Sequence, residues 1–181
     1  MNYVFLANGF EEIEALATVD VMRRAGMKVT TVSINPTKEV TAAHGVTVLA
    51  DALLVDVDTT KAEWLILPGG MPGATNLMEC EPLTDMLVNH NKNGGKLAAI
   101  CASPAVVFAP LGIINGKNAT CYPGMEVDGC GVNWQSDMVV VDGNVVTGRG
   151  PAAACSFGFA IVAISNGVEC ANEVAQGMLL K

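Results

Sequence analysis

With 181 residues, 51% of them hydrophobic and only 15% charged, the chain has enough apolar surface to bury a core and too much to be disordered. A net charge of -8, with ten Lys and Arg scattered along the chain, argues against a nucleic-acid partner, which needs a basic stripe. No apolar run is long enough to span a bilayer, no secretory leader pattern opens the chain, and its six cysteines form no C-x-x-C pair.

These features lead us to expect one cytoplasmic domain over residues 1–181, with no membrane partner, no disulfide framework and no metal. The apolar pattern starts with a strand over residues 3–7 and a helix over 11–25. Strands follow over 28–33, 46–49 and 64–67, then a helix over 82–93 and a strand over 96–100. A helix over 103–109 starts just after Cys101. Asp142-Gly143-Asn144 turns a hairpin between 138–141 and 145–147, and helices over 153–166 and 168–180 finish the chain. This β-α-β rhythm predicts an α/β fold: a doubly wound sandwich around a mostly parallel central sheet.

In such sheets, ligands bind where the loops after the carboxyl ends of neighbouring strands meet. Three of these loops carry chemistry: Asn8-Gly9-Phe10-Glu11-Glu12-Ile13-Glu14, Pro68-Gly69-Gly70-Met71-Pro72-Gly73 and Cys101-Ala102-Ser103-Pro104. Cys101 stands at a strand-to-helix corner, the geometry of a nucleophile elbow, where a helix end is expected to favour the thiolate. The turn at Gly69 and Gly70 bares backbone amides that, with the amide of Ala102, form a candidate oxyanion hole. Glu14 heads a small or apolar stripe through Ala17, Thr18, Val21 and Ala25, so its carboxyl is expected to be partly buried and to hold a proton. Glu11 and Glu12 read as first-turn acids that complement the helix dipole. Gly148-Arg149-Gly150-Pro151-Ala152-Ala153 mimics a dinucleotide fingerprint, but the chain then runs from helix into helix and not into a strand with an acid, so no nucleotide is implied. Arg149 is left as a candidate anion contact.

Taken in order, Gly9-Phe10-Glu11-Glu12-Ile13-Glu14, Val19-Asp20-Val21-Met22-Arg23-Arg24-Ala25-Gly26, Leu67-Pro68-Gly69-Gly70, Ala98-Ala99-Ile100-Cys101-Ala102-Ser103-Pro104 and Arg149-Gly150-Pro151 make the chain resemble the ThiJ/PfpI superfamily. Within it, the resemblance is nearest to the branch of the parkinsonism-associated protein deglycase and bacterial ThiJ-like members. It implies a flavodoxin-like sandwich, a nucleophilic Cys101, a protonated Glu14, an oxyanion pocket around Gly70 and Ala102, and no cofactor. It also implies a homodimer formed through the first helix and the Val46-Thr47-Val48 edge, with His44 and Arg24 near the neighbouring site.

The activity implied is a cysteine-dependent enzyme of carbonyl stress, a glyoxalase or deglycase, acting on small aldehydes, dicarbonyls or glycated protein side chains. The alternative is a non-enzymatic redox sensor or chaperone that works through oxidation of Cys101. Peptidase-like relatives carry a His after the nucleophile, where this chain has Ala102, so a peptidase lacks its base. Where the deglycase has a His before Pro, Tyr122 precedes Pro123 here and can donate a hydrogen bond but is a poor base at neutral pH.

Overall fold

The structure, a computed structural model, describes residues 1–180. Its elements in chain order are β1 Asn2–Leu6, α1 Glu12–Arg24, β2 Val29–Ser33, β3 Glu39–Thr41, β4 Thr47–Leu49, β5 Ala52–Leu53, β6 Trp64–Leu67, α2 Gly73–Glu79, α3 Glu81–Lys92 and β7 Lys96–Ile100. A π-helical turn, Pro104–Phe108, follows β7; then come β8 Asn118–Ala119, β9 Asn133–Trp134, β10 Val139–Asp142, β11 Val145–Gly148, α4 Ala154–Asn166 and α5 Val168–Gly177.

Seven strands form the central sheet in the order β10-β11-β7-β6-β1-β2-β5. Every pairing in it is parallel except the β10–β11 hairpin. Because strand side chains alternate between faces, each central strand feeds two cores. Val4, Leu6, Ile66, Ala98 and Ile100 pack towards Val21 of α1 and Phe157 and Ile161 of α4. Phe5, Leu65, Leu67, Leu97 and Ala99 pack on the other side with Leu77, Leu83, Leu87 and Phe108. This two-sided burial is why the strands read as continuous apolar runs. Among the described residues, no helix is long and apolar enough to cross a membrane.

Three expectations change. The predicted strand over 46–49 does not join the sheet; as β4 it pairs antiparallel with β3 in a separate hairpin, and the sheet edge is the two-residue β5. The helix expected after Cys101 is a single π-helical turn in which the Ala109 N–H reaches the Pro104 carbonyl at 2.9 Å, five residues back. A further helix, α2, precedes α3.

Candidate active site

Strands β1, β6 and β7 are neighbours, so the three loops singled out in the sequence leave the sheet side by side. Backbone hydrogen bonds lock them together. Glu11 N–H donates to Gly69 O at 3.0 Å, and Gly73 N–H donates to Gly9 O at 3.1 Å. Ser103, fully buried, donates its hydroxyl to Pro68 O at 2.6 Å and so ties the β7 corner to the glycine loop.

Cys101 sits at φ 64, a left-handed conformation that is costly for a residue with a side chain. Its carbonyl accepts from Tyr122 N–H at 2.8 Å, and its own N–H donates to Gly148 O at 2.9 Å, so both flanks of the corner are held. Gly69 has to be glycine: a Cβ there would lie 2.6 Å from the Cβ of Cys101 and 2.9 Å from the Ala102 nitrogen. Gly70, at φ +88, packs against the turn before α1, where a Cβ would lie 2.6 Å from Gly9 O.

Glu14 is completely buried, more so than its stripe implied. One carboxyl oxygen, Oε2, accepts from Gly69 N–H at 2.8 Å, and the other, Oε1, is buried without a hydrogen-bond partner of ordinary geometry. Burial pushes this carboxyl from 4.5 to about 7, while the Gly69 amide pulls it down. Cys101 beside it is 7% exposed. Burial first, then the charge of Glu14 and its interaction with the thiol, push Cys101 up from 9.0 to about 12 against the opposing Gly70 and Ala102 amides. The expected net lowering is therefore absent: one amide from the glycine loop and one from the Cys101 corner favour the thiolate, and burial beside a carboxyl outweighs them.

The candidate residues divide as follows. Cys101, Glu14, Gly70 and Ala102 come together. Gly69, counted among the oxyanion donors, instead spends its N–H on Glu14. Tyr122 lies on the other side of Cys101, half-exposed, where it and Arg149 line a cavity of about 230 Å³. The Arg149 guanidinium donates to the Ser136 carbonyl, which holds it across the loop before β10. Cys121 is buried with its thiol also pushed up to about 12, mainly by burial, and all six cysteines are free.

The two remaining acids are not simple dipole partners. Glu11 caps α1, its Oε2 accepting from Glu14 N–H at 2.7 Å. Glu12 reaches the loop after β3, where Oε1 accepts from His44 N–H at 3.1 Å and Oε2 lies 2.9 Å from His44 Nδ1. Glu11, Glu12 and His44 form one group, among the described residues, whose potential metal-ligating atoms lie within 4.8 Å of one another. Reading the sequence alone missed the Glu12–His44 pair, because 32 residues separate its partners. It also missed Ser103, whose position two residues after Cys101 was its only signal.

Residues 2–164 match the DJ-1/PfpI family. The chain is 37% identical over 178 residues to protein DJ-1 homolog B of Arabidopsis thaliana, a match covering 97% of this chain but only 40% of that protein. It is 34% identical over 173 residues to the glutathione-independent glyoxalase DJR-1.2 of Caenorhabditis elegans, with 94% and 90% of the two chains covered. The solved structure of oxidized DJ-1 from Toxoplasma gondii is similar at a TM-score of 0.92 and 35% identity, covering 98% of this chain and 96% of that one.

Proposed function

The chain belongs to the DJ-1/PfpI family, and from that premise we propose that it is a Cys101-dependent, glutathione-independent enzyme of carbonyl stress acting on glyoxal-type dicarbonyls or early glycation adducts. The observation that carries this reading is the buried Glu14 carboxyl, raised to about 7, beside a thiol that faces two backbone amides. A base poised near neutral pH is what proton transfer between carbon atoms needs. The relative named as a glyoxalase adds support.

With methylglyoxal, the Cys101 thiol gives its proton to Glu14 as sulfur bonds to the aldehyde carbon. The Gly70 and Ala102 amides hold the alkoxide that forms, each worth about 3 kcal/mol in such sites. Glu14 passes the proton to that oxygen, giving a hemithioacetal. As a carboxylate again, it takes the hydrogen from the former aldehyde carbon and delivers it to the neighbouring ketone carbon, while the hemithioacetal hydroxyl gives up its proton and the ketone oxygen gains one. An acyl thioester on Cys101 results, and water cleaves it to release lactate and the thiol. One carbon is oxidised as its neighbour is reduced, so the sum is methylglyoxal plus water and no cofactor enters. We assign the same chain a cytoplasmic location and a homodimeric state. A peptidase is disfavoured, since Ala102 offers no imidazole and His44 is engaged by Glu12.

The test is lactate formation from methylglyoxal without glutathione, wild type against Cys101→Ser. Turnover confined to the wild type is expected; equal turnover in the serine variant would remove Cys101 from the chemistry.

The second reading, a redox sensor, is favoured by the same pair and by the oxidized state of the Toxoplasma relative. Two equivalents of peroxide would take the Cys101 thiolate to sulfinate, releasing two waters, and a protonated Glu14 would hydrogen-bond the product. Intact mass after mild peroxide decides it: oxygen addition confined to Cys101 supports the sensor, and addition spread over all six cysteines counts against it.

A further inference from the structure

The cavity on the β11 side of Cys101 has no role in the chemistry above. Its walls are Tyr122, Pro123, Met138, Gly150 and Pro151, rings and an unbranched thioether set around a glycine. Two of its wall segments are tied to the backbone of Cys101. Tyr122 donates its N–H to the Cys101 carbonyl at 2.8 Å, while Gly148, whose carbonyl accepts from Cys101 N–H at 2.9 Å, leads through Arg149 into Gly150. Glu14 on α1 and the Gly70 amide after β6 act on the Cys101 thiol, whereas the segments that line the cavity are hydrogen-bonded to the Cys101 backbone. The one cation on the wall, Arg149, has its guanidinium drawn to the Ser136 carbonyl.

We propose that this cavity is a subsite for the substituent of a carbonyl compound bound at Cys101, and that it selects α-oxoaldehydes bearing an aromatic or branched apolar group over glyoxal and methylglyoxal. The inference rests on the proposed carbonyl chemistry and names its substrate class. Three features carry it. At about 230 Å³ the cavity suits one small group and is too small for a drug-sized ligand. Its walls carry rings, where a polar adduct would leave its own groups unpaired. Gly150 sets its width: a Cβ there would stand 3.4 Å from the Tyr122 ring, so any larger side chain narrows the space.

Two readouts on the full chain test this. The first compares kcat/KM for phenylglyoxal and methylglyoxal. An apolar pocket discriminates by about 10-fold to 200-fold for a small hydrocarbon difference, so an aryl preference of at least about tenfold is expected. The second needs no turnover: phenacyl chloride and chloroacetone each alkylate Cys101, with a C–S bond forming as chloride leaves, and their rate ratio is read by intact mass against the ratio for free glutathione.

Gly150→Val, which narrows the cavity, and Tyr122→Ala, which removes a wall at a half-exposed position, are both expected to collapse the aryl-to-methyl ratio in both readouts. A wild-type ratio equal to that of glutathione overturns the subsite even if methylglyoxal is turned over. So does a ratio that survives both substitutions. An aryl preference in alkylation with no turnover of either aldehyde upholds the subsite and removes the enzymatic reading instead.

Discussion

Replacing Glu14 by Gln should make the protein less active and spare it a loss of stability that the wild type suffers as pH rises. The wild-type carboxyl is raised from 4.5 to about 7, first by burial, so the native state binds this proton more tightly than the unfolded chain does. Its stabilising contribution is complete below 4.5 and is lost as pH rises through 7. At about 1.4 kcal/mol for each tenfold change in proton affinity, the loss amounts to about 3 kcal/mol between about pH 4 and pH 8. Gln cannot ionise, so Glu14→Gln escapes this loss. Its side-chain oxygen can still accept from Gly69 N–H, and any cost of burying its NH2 group is the same at both pH values and cancels. Cys101 contributes little over this window, because its thiol ionises only from 9.0 upward even without burial. The assay is urea denaturation of wild type and variant in reducing buffer at the two pH values, with oxoaldehyde turnover measured alongside. The variant should gain about 3 kcal/mol on the wild type from the lower pH to the higher and lose about 100-fold or more in turnover. A stability difference that does not change with pH would refute a buried carboxyl with a raised proton affinity.

Two further outcomes test the architecture around the pair. Gly69→Ala puts a methyl 2.6 Å from the Cys101 Cβ, so the corner must shift; a loss of about 1–3 kcal/mol in thermal or urea unfolding is expected, and an unchanged midpoint would contradict the close approach. His44 should titrate above 6.5 by NMR because Glu12 hydrogen-bonds its ring and adds its charge. Glu12→Gln should bring it back towards 6.5, and an imidazole that titrates unchanged in that variant would mean the pair does not form in solution. Any stability from this pair is present below the ordinary histidine value and fades as pH rises through the raised one.

Local patterns in the chain were enough to find the strand-to-helix corner at Cys101. An apolar strand over 96–100 running into Cys101 and then a helix-forming stretch is legible residue by residue, and β7 has those bounds. The i, i+3, i+4 stripe through Glu14 places its carboxyl on the buried face of α1, because helical periodicity alone decides which side chains point inward. The two-sided sheet also follows from runs such as Trp64–Leu67, whose side chains are apolar at every position.

What the sequence could not specify is which groups meet once the strands are ordered. Gly69 and Glu14 are 55 residues apart, and only the adjacency of β1 and β6 turns the Gly69 amide into a carboxyl partner in place of an oxyanion donor. The same adjacency sets the carboxyl beside the thiol, so burial and charge raise a cysteine that its position before a helix suggested would be lowered. Residues 46–49 have the composition of a strand, but strand propensity does not name the partner, and β4 finds β3 while Ala52–Leu53 takes the sheet edge. Periodicity and propensity are properties of neighbours in the chain, whereas proton affinity, amide orientation and cavity shape belong to groups brought together only by the crossovers.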